Sequence, residues 1–342
     1  MKDAAVAGAH DRACRFPVYG SPQSSRSRDV TPVPELKQVL CAIDFSEPSD
    51  RVVGYAAAFA RWYEADLMVL HVAGALEREM AGLGPTRSGR TLVGPSHDQV
   101  ADDLRRSIAL LGAGAGALDA YVAVREGDPV TVILEEAAGV HADLLVLGTH
   151  GRSGFNRLSV GSVSEQLVRK ASCPVLTVPP YATSVPSDAM LLKRILCPLD
   201  FSPSSKLSLQ YALSLAREAN GSLTVLHVIE WFPDEEPRVD AHFHVREYRQ
   251  RLIQDAREQL HADIPEEVRA RCDVKEAVTF SKAYREILSV AHAAPAELIV
   301  MGAQGRGAVD SLLIGSTTER VLREAPCPVL TVRAESPAGS TA

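Results

Sequence analysis

Two stretches of the chain, LGTHGRSGFNRLSVGS (Leu147–Ser162) and MGAQGRGAVDSLLIGS (Met301–Ser316), share one spacing of glycines ahead of a serine. The pattern is G-x2-G-x9-G-S, at Gly148, Gly151, Gly161 and Ser162 and again at Gly302, Gly305, Gly315 and Ser316. Each follows an apolar run and precedes residues at helical spacing. A backbone without side chains lets N–H groups approach a ligand, and the unpaired amides of a helix N-terminus attract an anion, so the pattern suits a phosphate chain. Arg152 and Arg306 add a cation to each loop. The same residues also spell capping boxes, Ser162 to Glu165 and Ser316 to Glu319, in which Ser and Glu would satisfy the first amides themselves; capping and phosphate binding are compatible.

Asp44 and Asp200 supply a second element. Each ends a strand-like run immediately before Phe-Ser. In a sheet whose order reverses between its first and fourth strands, each carboxylate would face the glycine loop across the crevice where α/β folds bind ligands, and could accept both hydroxyls of a ribose. The alternative is that Asp44 and Asp200 cap the next helix together with Ser46 and Ser202.

The elements that must position these residues are written twice. KQVLCAIDFS from Lys37 recurs as KRILCPLDFS from Lys193, and ASCPVLTVPP from Ala171 recurs as APCPVLTVRA from Ala325. Each half alternates short apolar runs with helical periodicity: VLCAID, DLMVLHV, AYVAVREG, ADLLVLG and PVLTV in the first, ILCPLD, SLTVLHV, DVKEAVTF, AELIVMG and PVLTV in the second. Such β-α-β alternation predicts an α/β fold, doubly wound, with a parallel sheet and helices on both faces. The expected organisation is a disordered arm over 1–34, a first domain over 35–180, a linker over 181–191, a second domain over 192–333 and a disordered tail over 334–342.

With 342 residues, 43 acidic against 36 basic side chains and a net charge of −7, the chain has room for two cores and no basic surface for nucleic acid or anionic membrane. No apolar run is long enough to cross a bilayer, and the N-terminus lacks the apolar stretch of a signal peptide, so a soluble, cytoplasmic protein is expected. The six cysteines show no metal spacing and read as small buried hydrophobes. Several decoys are set aside. GAGAGA (Gly112–Ala117) precedes a strand instead of joining strand to helix, HFH (His242–His244) lacks spaced partners, and His71 and His227 read as core histidines. His150 stands where the second loop has Gln304, so an imidazole is not required there. No G-x-x-x-x-G-K-[ST] motif occurs.

Together the D-F-S strand end, the L-H-V second strand, G-x2-G-x9-G-S and the closing C-P-V-L-T-V resemble the universal stress protein family, in its tandem form and ATP-binding subgroup. The resemblance covers about 36–180 and 192–333. It implies two Rossmann-like domains, each a five-stranded parallel sheet in the order 3-2-1-4-5, with fifth strands that pair as a pseudo-dimer within one chain. By the same resemblance Ala42, Ile43 and Val72, and Pro198, Leu199 and Val228, line the adenine. Asp44 with Gly148, and Asp200 with Gly302, hold the ribose. Gly151, Arg152, Gly161, Ser162 and Val163, and Gly305, Arg306, Gly315, Ser316 and Thr317, meet the phosphates of ATP with Mg2+, for which no protein ligand is expected. The first half carries the family's glycine and proline after strand three, Gly127-Asp128-Pro129, so Gly127 joins its site; the second half has Ser281-Lys282-Ala283, where Lys282 could reach a phosphate. No nucleophile-base set is present, so a nucleotide-dependent regulatory stress-response protein is expected, with a protein partner and a homodimeric state. A slow ATPase or other adenosine-nucleotide enzyme and a nucleotide-free scaffold are the alternatives.

Overall fold

The computed structural model describes residues 36–45, 49–73, 99, 101–102, 105–106, 120–149, 161–183, 192–230, 245–306 and 313–334. The expected arm, GAGAGA and HFH lie outside them. The first repeat runs β1 (Gln38–Ile43), α1 (Ser49–Tyr63), β2 (Asp66–Ala73), β3 (Ala120–Glu126), α2 (Pro129–Gly139), β4 (Leu144–Gly148), α3 (Ser162–Lys170) and β5 (Val175–Val178). The second runs β6 (Arg194–Pro198), α4 (Pro203–Ala219), β7 (Ser222–Ile229), α5 (Val245–Asp263), α6 (Glu266–Arg269), β8 (Asp273–Phe280), α7 (Ala283–Ala293), β9 (Leu298–Gly302), α8 (Ser316–Glu324) and β10 (Val329–Val332).

The apolar runs become strands buried along their length, Val39 to Ala42 in β1 and Leu144 to Leu147 in β4, because helices cover both faces of a parallel sheet. Val53, Ala56, Ala57 and Ala60 bury the inner stripe of α1, and Leu209, Ala212, Leu213 and Ala216 that of α4. The order within each repeat is 3-2-1-4-5, and the two join as one ten-stranded sheet, β3-β2-β1-β4-β5-β10-β9-β6-β7-β8. Every pairing is parallel except β5 with β10. The fifth-strand pseudo-dimer expected from the resemblance is therefore present within the chain.

The seam is reciprocal. Leu176 pairs with Leu330, and on either side Thr177 Oγ1 donates to the Val329 carbonyl (3.2 Å) and Thr331 Oγ1 to the Val175 carbonyl (3.1 Å). Tyr55 of α1 sits near Cys327 and Glu297 of the other repeat, and Tyr211 of α4 near Asp143 and Cys173; burial, then these neighbours, pushes each phenol up to about 12. One hydrophobic cluster runs through both repeats under α2, α3, α7 and α8. Because β5 and β10 run antiparallel, the carboxyl ends of the two sets of strands point to opposite edges, and the two crevices open away from each other.

Since Leu176 is fully buried at this seam, Leu176→Ala should cost about 2–5 kcal/mol. Calorimetry should show one unfolding transition moved down, because the two repeats share a core; two separate transitions would contradict that core.

Candidate functional site

The second repeat has the more fully described crevice, with residues 192–230, 245–306 and 313–334 in place. Between the carboxyl ends of β6, β7 and β9 lies a cavity of about 780 Å³. Pro198, Leu199, Asp200, Val228, Gly302, Gly305, Arg306, Gly315, Ser316 and Thr317, the sequence-derived set, all line it. The volume falls within the range of small-molecule pockets.

Asp200 organises this mouth. Its Oδ1 accepts from the Ser202 amide (3.0 Å) and hydroxyl (2.6 Å), while Oδ2 accepts from the Arg306 amide (3.0 Å) in the glycine loop. Burial raises its pKa, but the bonds from Ser202, Ser205 and the Arg306 amide outweigh that and hold the carboxyl below its usual value. Ser202 in turn is the N-cap of α4, accepting the Ser205 amide. Capping and facing the loop thus coexist in one carboxylate. Phe201, between them, has φ 65°, and Phe45 after Asp44 has φ 57°, a conformation costly for a bulky side chain. Each ring is held by a histidine of the second strand: Phe201 to His227 and Phe45 to His71, with ring centroids 4.6 Å apart in both pairs. The Arg306 guanidinium lies over the Phe201 ring, 5.3 Å from its centroid.

The three glycines of the spacing pattern in the second loop answer to different demands. A Cβ on Gly302 would stand 2.9 Å from backbone atoms of Ser204 and Ser205, so this glycine is required by the packing of α4 against β9. One on Gly305 would meet Asp200 Oδ2 at 2.6 Å, so this one admits the carboxylate. Gly315 is the N-cap of α8, at φ −64° and ψ 141°, and a Cβ there would find nothing nearer than 3.6 Å. Among the described residues nothing requires glycine at 315.

The capping boxes are corrected. Gly161 and Gly315 are the N-caps, Ser162 and Ser316 stand one residue inside, and neither cap makes a side-chain bond. The hydroxyls two residues further turn back to the strand instead, Ser164 Oγ to the Gly148 carbonyl (2.7 Å) and Thr318 Oγ1 to the Gly302 carbonyl (3.0 Å). That choice leaves the first amides of α3 and α8 without the Ser-Glu exchange of a capping box. Lys282 does not line the cavity, whereas Glu230 does.

In the first repeat Ala42, Ile43, Asp44, Val72, Gly127, Gly148, Gly161, Ser162 and Val163 occupy the matching places on β1, β2, β3, β4 and α3, while Gly151, Arg152, His150 and Ser46 lie outside the described residues. Each loop closes alike, Gly161 N–H to the Thr149 carbonyl (2.8 Å) and Gly315 N–H to the Ala303 carbonyl (3.0 Å). Sequence reasoning missed Ser205, His227, Glu230, Ile287 and Gln304 in the lining. Gln304 has a structural task, since its Nε2 donates to the Leu313 carbonyl across the loop (3.0 Å). His71 and His227 are buried, as expected, and the carbonyl partners of their Nδ1, Ile43 (3.0 Å) and Leu199 (2.7 Å), mean that these nitrogens carry the proton. Cys41, Cys197, Cys272 and Cys327 are buried and Cys173 half-buried, all free; burial raises the thiols, Cys197 and Cys327 to about 12.

Two doubly wound repeats, each with a helix N-terminus and a carboxylate at the switch point of its sheet, define a tandem α/β protein. The chain belongs to the universal stress protein family, which it matches over residues 35–179 and 192–333. It is 27% identical over 304 residues to universal stress protein Rv2005c of Mycobacterium tuberculosis, covering 86% of this chain and 96% of that one. A universal stress protein of Thermus aquaticus is 34% identical over 143 residues, 42% of this chain and 98% of that one. The crystal structure of a universal stress protein from Archaeoglobus fulgidus shares the fold with a TM-score of 0.59 at 22% identity, over 88% of this chain and 98% of that one. No described helix is long and apolar enough to cross a membrane.

Two outcomes follow from the geometry. Gly302→Ala should cost about 1–3 kcal/mol, because the clash is with backbone, while Gly315→Ala should change stability by less than about 0.5 kcal/mol; denaturant melts distinguish them. Burial, with Arg306 nearby, lowers the His227 pKa from its usual 6.5 against the opposing pull of the Leu199 carbonyl and Asp200. The folded value lies below the unfolded one, so the stability this neutral ring lends is full above pH 6.5 and is lost as pH falls through the folded value. His227→Gln should flatten that part of the stability-against-pH curve.

Proposed function

We propose that both crevices bind an adenosine nucleotide, ATP carrying a divalent cation on its phosphates, and that the protein acts as a nucleotide-dependent regulator. The observation that carries this reading is Gly315. Among the described residues there is room for a side chain there, yet the position is bare, at a helix N-terminus with no side-chain cap, across the cavity from Asp200. A phosphate chain laid on the amides of Ser316 and Thr317 uses that bareness, and a helix N-terminus supplies both donors and a favourable dipole. Asp200 Oδ2 takes one bond from Arg306 and keeps acceptor capacity for a ribose hydroxyl. In this reading the divalent cation is carried on the phosphates of the nucleotide. The matching loop closures of the first repeat support a second site there.

Denaturing the purified protein and separating the released small molecules should yield ATP, and titration of stripped protein should approach two equivalents per chain. Asp44→Ala and Asp200→Ala should each weaken one site by about tenfold or more, the loss expected when a charged hydrogen-bond partner is removed. Gly315→Ala should weaken binding while leaving the melt unchanged. A protein that ignores millimolar ATP with magnesium sinks the reading, and turnover of ATP abolished by the double aspartate variant would replace binding with slow hydrolysis.

A further inference from the structure

The two repeats part at one corner. In the first, α2 opens with Pro129, which has no N–H to offer, and is capped by Asp128, whose Oδ2 accepts from Thr131 N (3.0 Å) and Oγ1 (2.8 Å). The residue that follows β2 is Gly74. In the second, α7 opens with Ala283, whose N–H is intact, and its N-cap Lys282 makes no side-chain cap bond. The residue that follows β7 is Glu230, and its Oε1 accepts the Ala283 N–H at 2.8 Å. The differences are coupled. Proline at 283 would have nothing to donate, and glycine at 230 nothing with which to accept.

The consequence is a carboxylate in the second crevice at a position where the first repeat has Gly74. Glu230 lines the cavity two residues beyond Val228. In the sheet order β7-β6-β9 it stands two strand spacings, about 10 Å, from the glycine loop that follows β9. A nucleotide with its phosphates on α8 and its sugar at Asp200 would bring its base to Glu230. We propose that Glu230 reads the base in the second crevice by accepting a hydrogen bond from an exocyclic amino group, so that this site selects amino-purine nucleotides more sharply than the first. The proposal rests on the nucleotide-binding reading. A carboxylate offers acceptors only, and the helix N-terminus of α7 holds this one in place. Because Glu230 is exposed at the mouth, water competes for it, and the preference it adds is about tenfold instead of a hundredfold.

The test is calorimetric titration of the full chain with ATP and with purine riboside triphosphate, which lacks only the amino group. In the native chain one of two sites should lose about tenfold more affinity than the other when that group is removed. Glu230→Gln retains an oxygen for the Ala283 N–H and should narrow the difference, and Glu230→Gly, the first repeat's residue, should abolish it. Melting of both variants reports any cost to α7 separately from the ratio. ATP bound with a preference for the amino group that Glu230→Gly leaves unchanged overturns the role of Glu230 alone; ATP bound at neither site overturns the nucleotide reading and this proposal together.

Discussion

One carboxylate holds the mouth of the second repeat together. Asp200 spends Oδ1 on Ser202, which starts α4, and Oδ2 on the Arg306 amide, which belongs to the glycine loop three strands later in sequence. A half-buried charge is costly unless its lone pairs are met, and here the donors come from both walls of the crevice. The walls are thereby fixed relative to each other before any ligand contributes. The arrangement also dictates Gly305, because the bond from Arg306 brings the carboxylate to a position that any Cβ at 305 would occupy.

Around this contact the local geometry is strained and then repaid. Phe201 takes a positive φ so that the chain can turn from β6 into the cap of α4 within three residues, and the ring is trapped between His227 and Arg306. The same turn at Phe45 is trapped by His71. A neutral histidine suits this task, since its Nδ1–H answers a strand carbonyl while its ring packs on the phenylalanine. The repeated L-H-V and D-F-S triplets are therefore two halves of one joint, which places the aspartate.

Strands, their order of appearance and the glycine spacing were legible because burial on both faces of a parallel sheet forces continuous apolar runs, and because a chain that states each unit twice exposes its own pattern. The capping boxes misled for a physical reason. A serine followed three residues later by glutamate looks like a cap in one dimension, yet glycine occupies the N-cap and the next hydroxyls are drawn to the carbonyls of Gly148 and Gly302. That preference depends on β4 and β9 ending beside the helix, which no local window reveals. The loop-spanning bond of Gln304 and the cavity face of His227 are likewise tertiary facts. Lys282 drew attention as a charge beside a lost proline, but the partner of that loss was Glu230, 53 residues from Ala283 and just beyond the end of β7.

The two ends of each crevice are built from different materials, and this explains how the repeats have diverged. The glycine-loop end is built from backbone amides and absent side chains, and both repeats keep its glycine spacing to the residue. The far end is built from side chains and from the first turn of a helix, where Gly74 with Pro129 and Glu230 with Ala283 are alternative self-consistent solutions. Changing one member of a pair alone leaves an unmet donor or an idle carboxylate, so the corner changes as a unit. Since the seam between β5 and β10 lies on the opposite side of β4 and β9 from that corner, the corner can change without disturbing the sheet that joins the repeats.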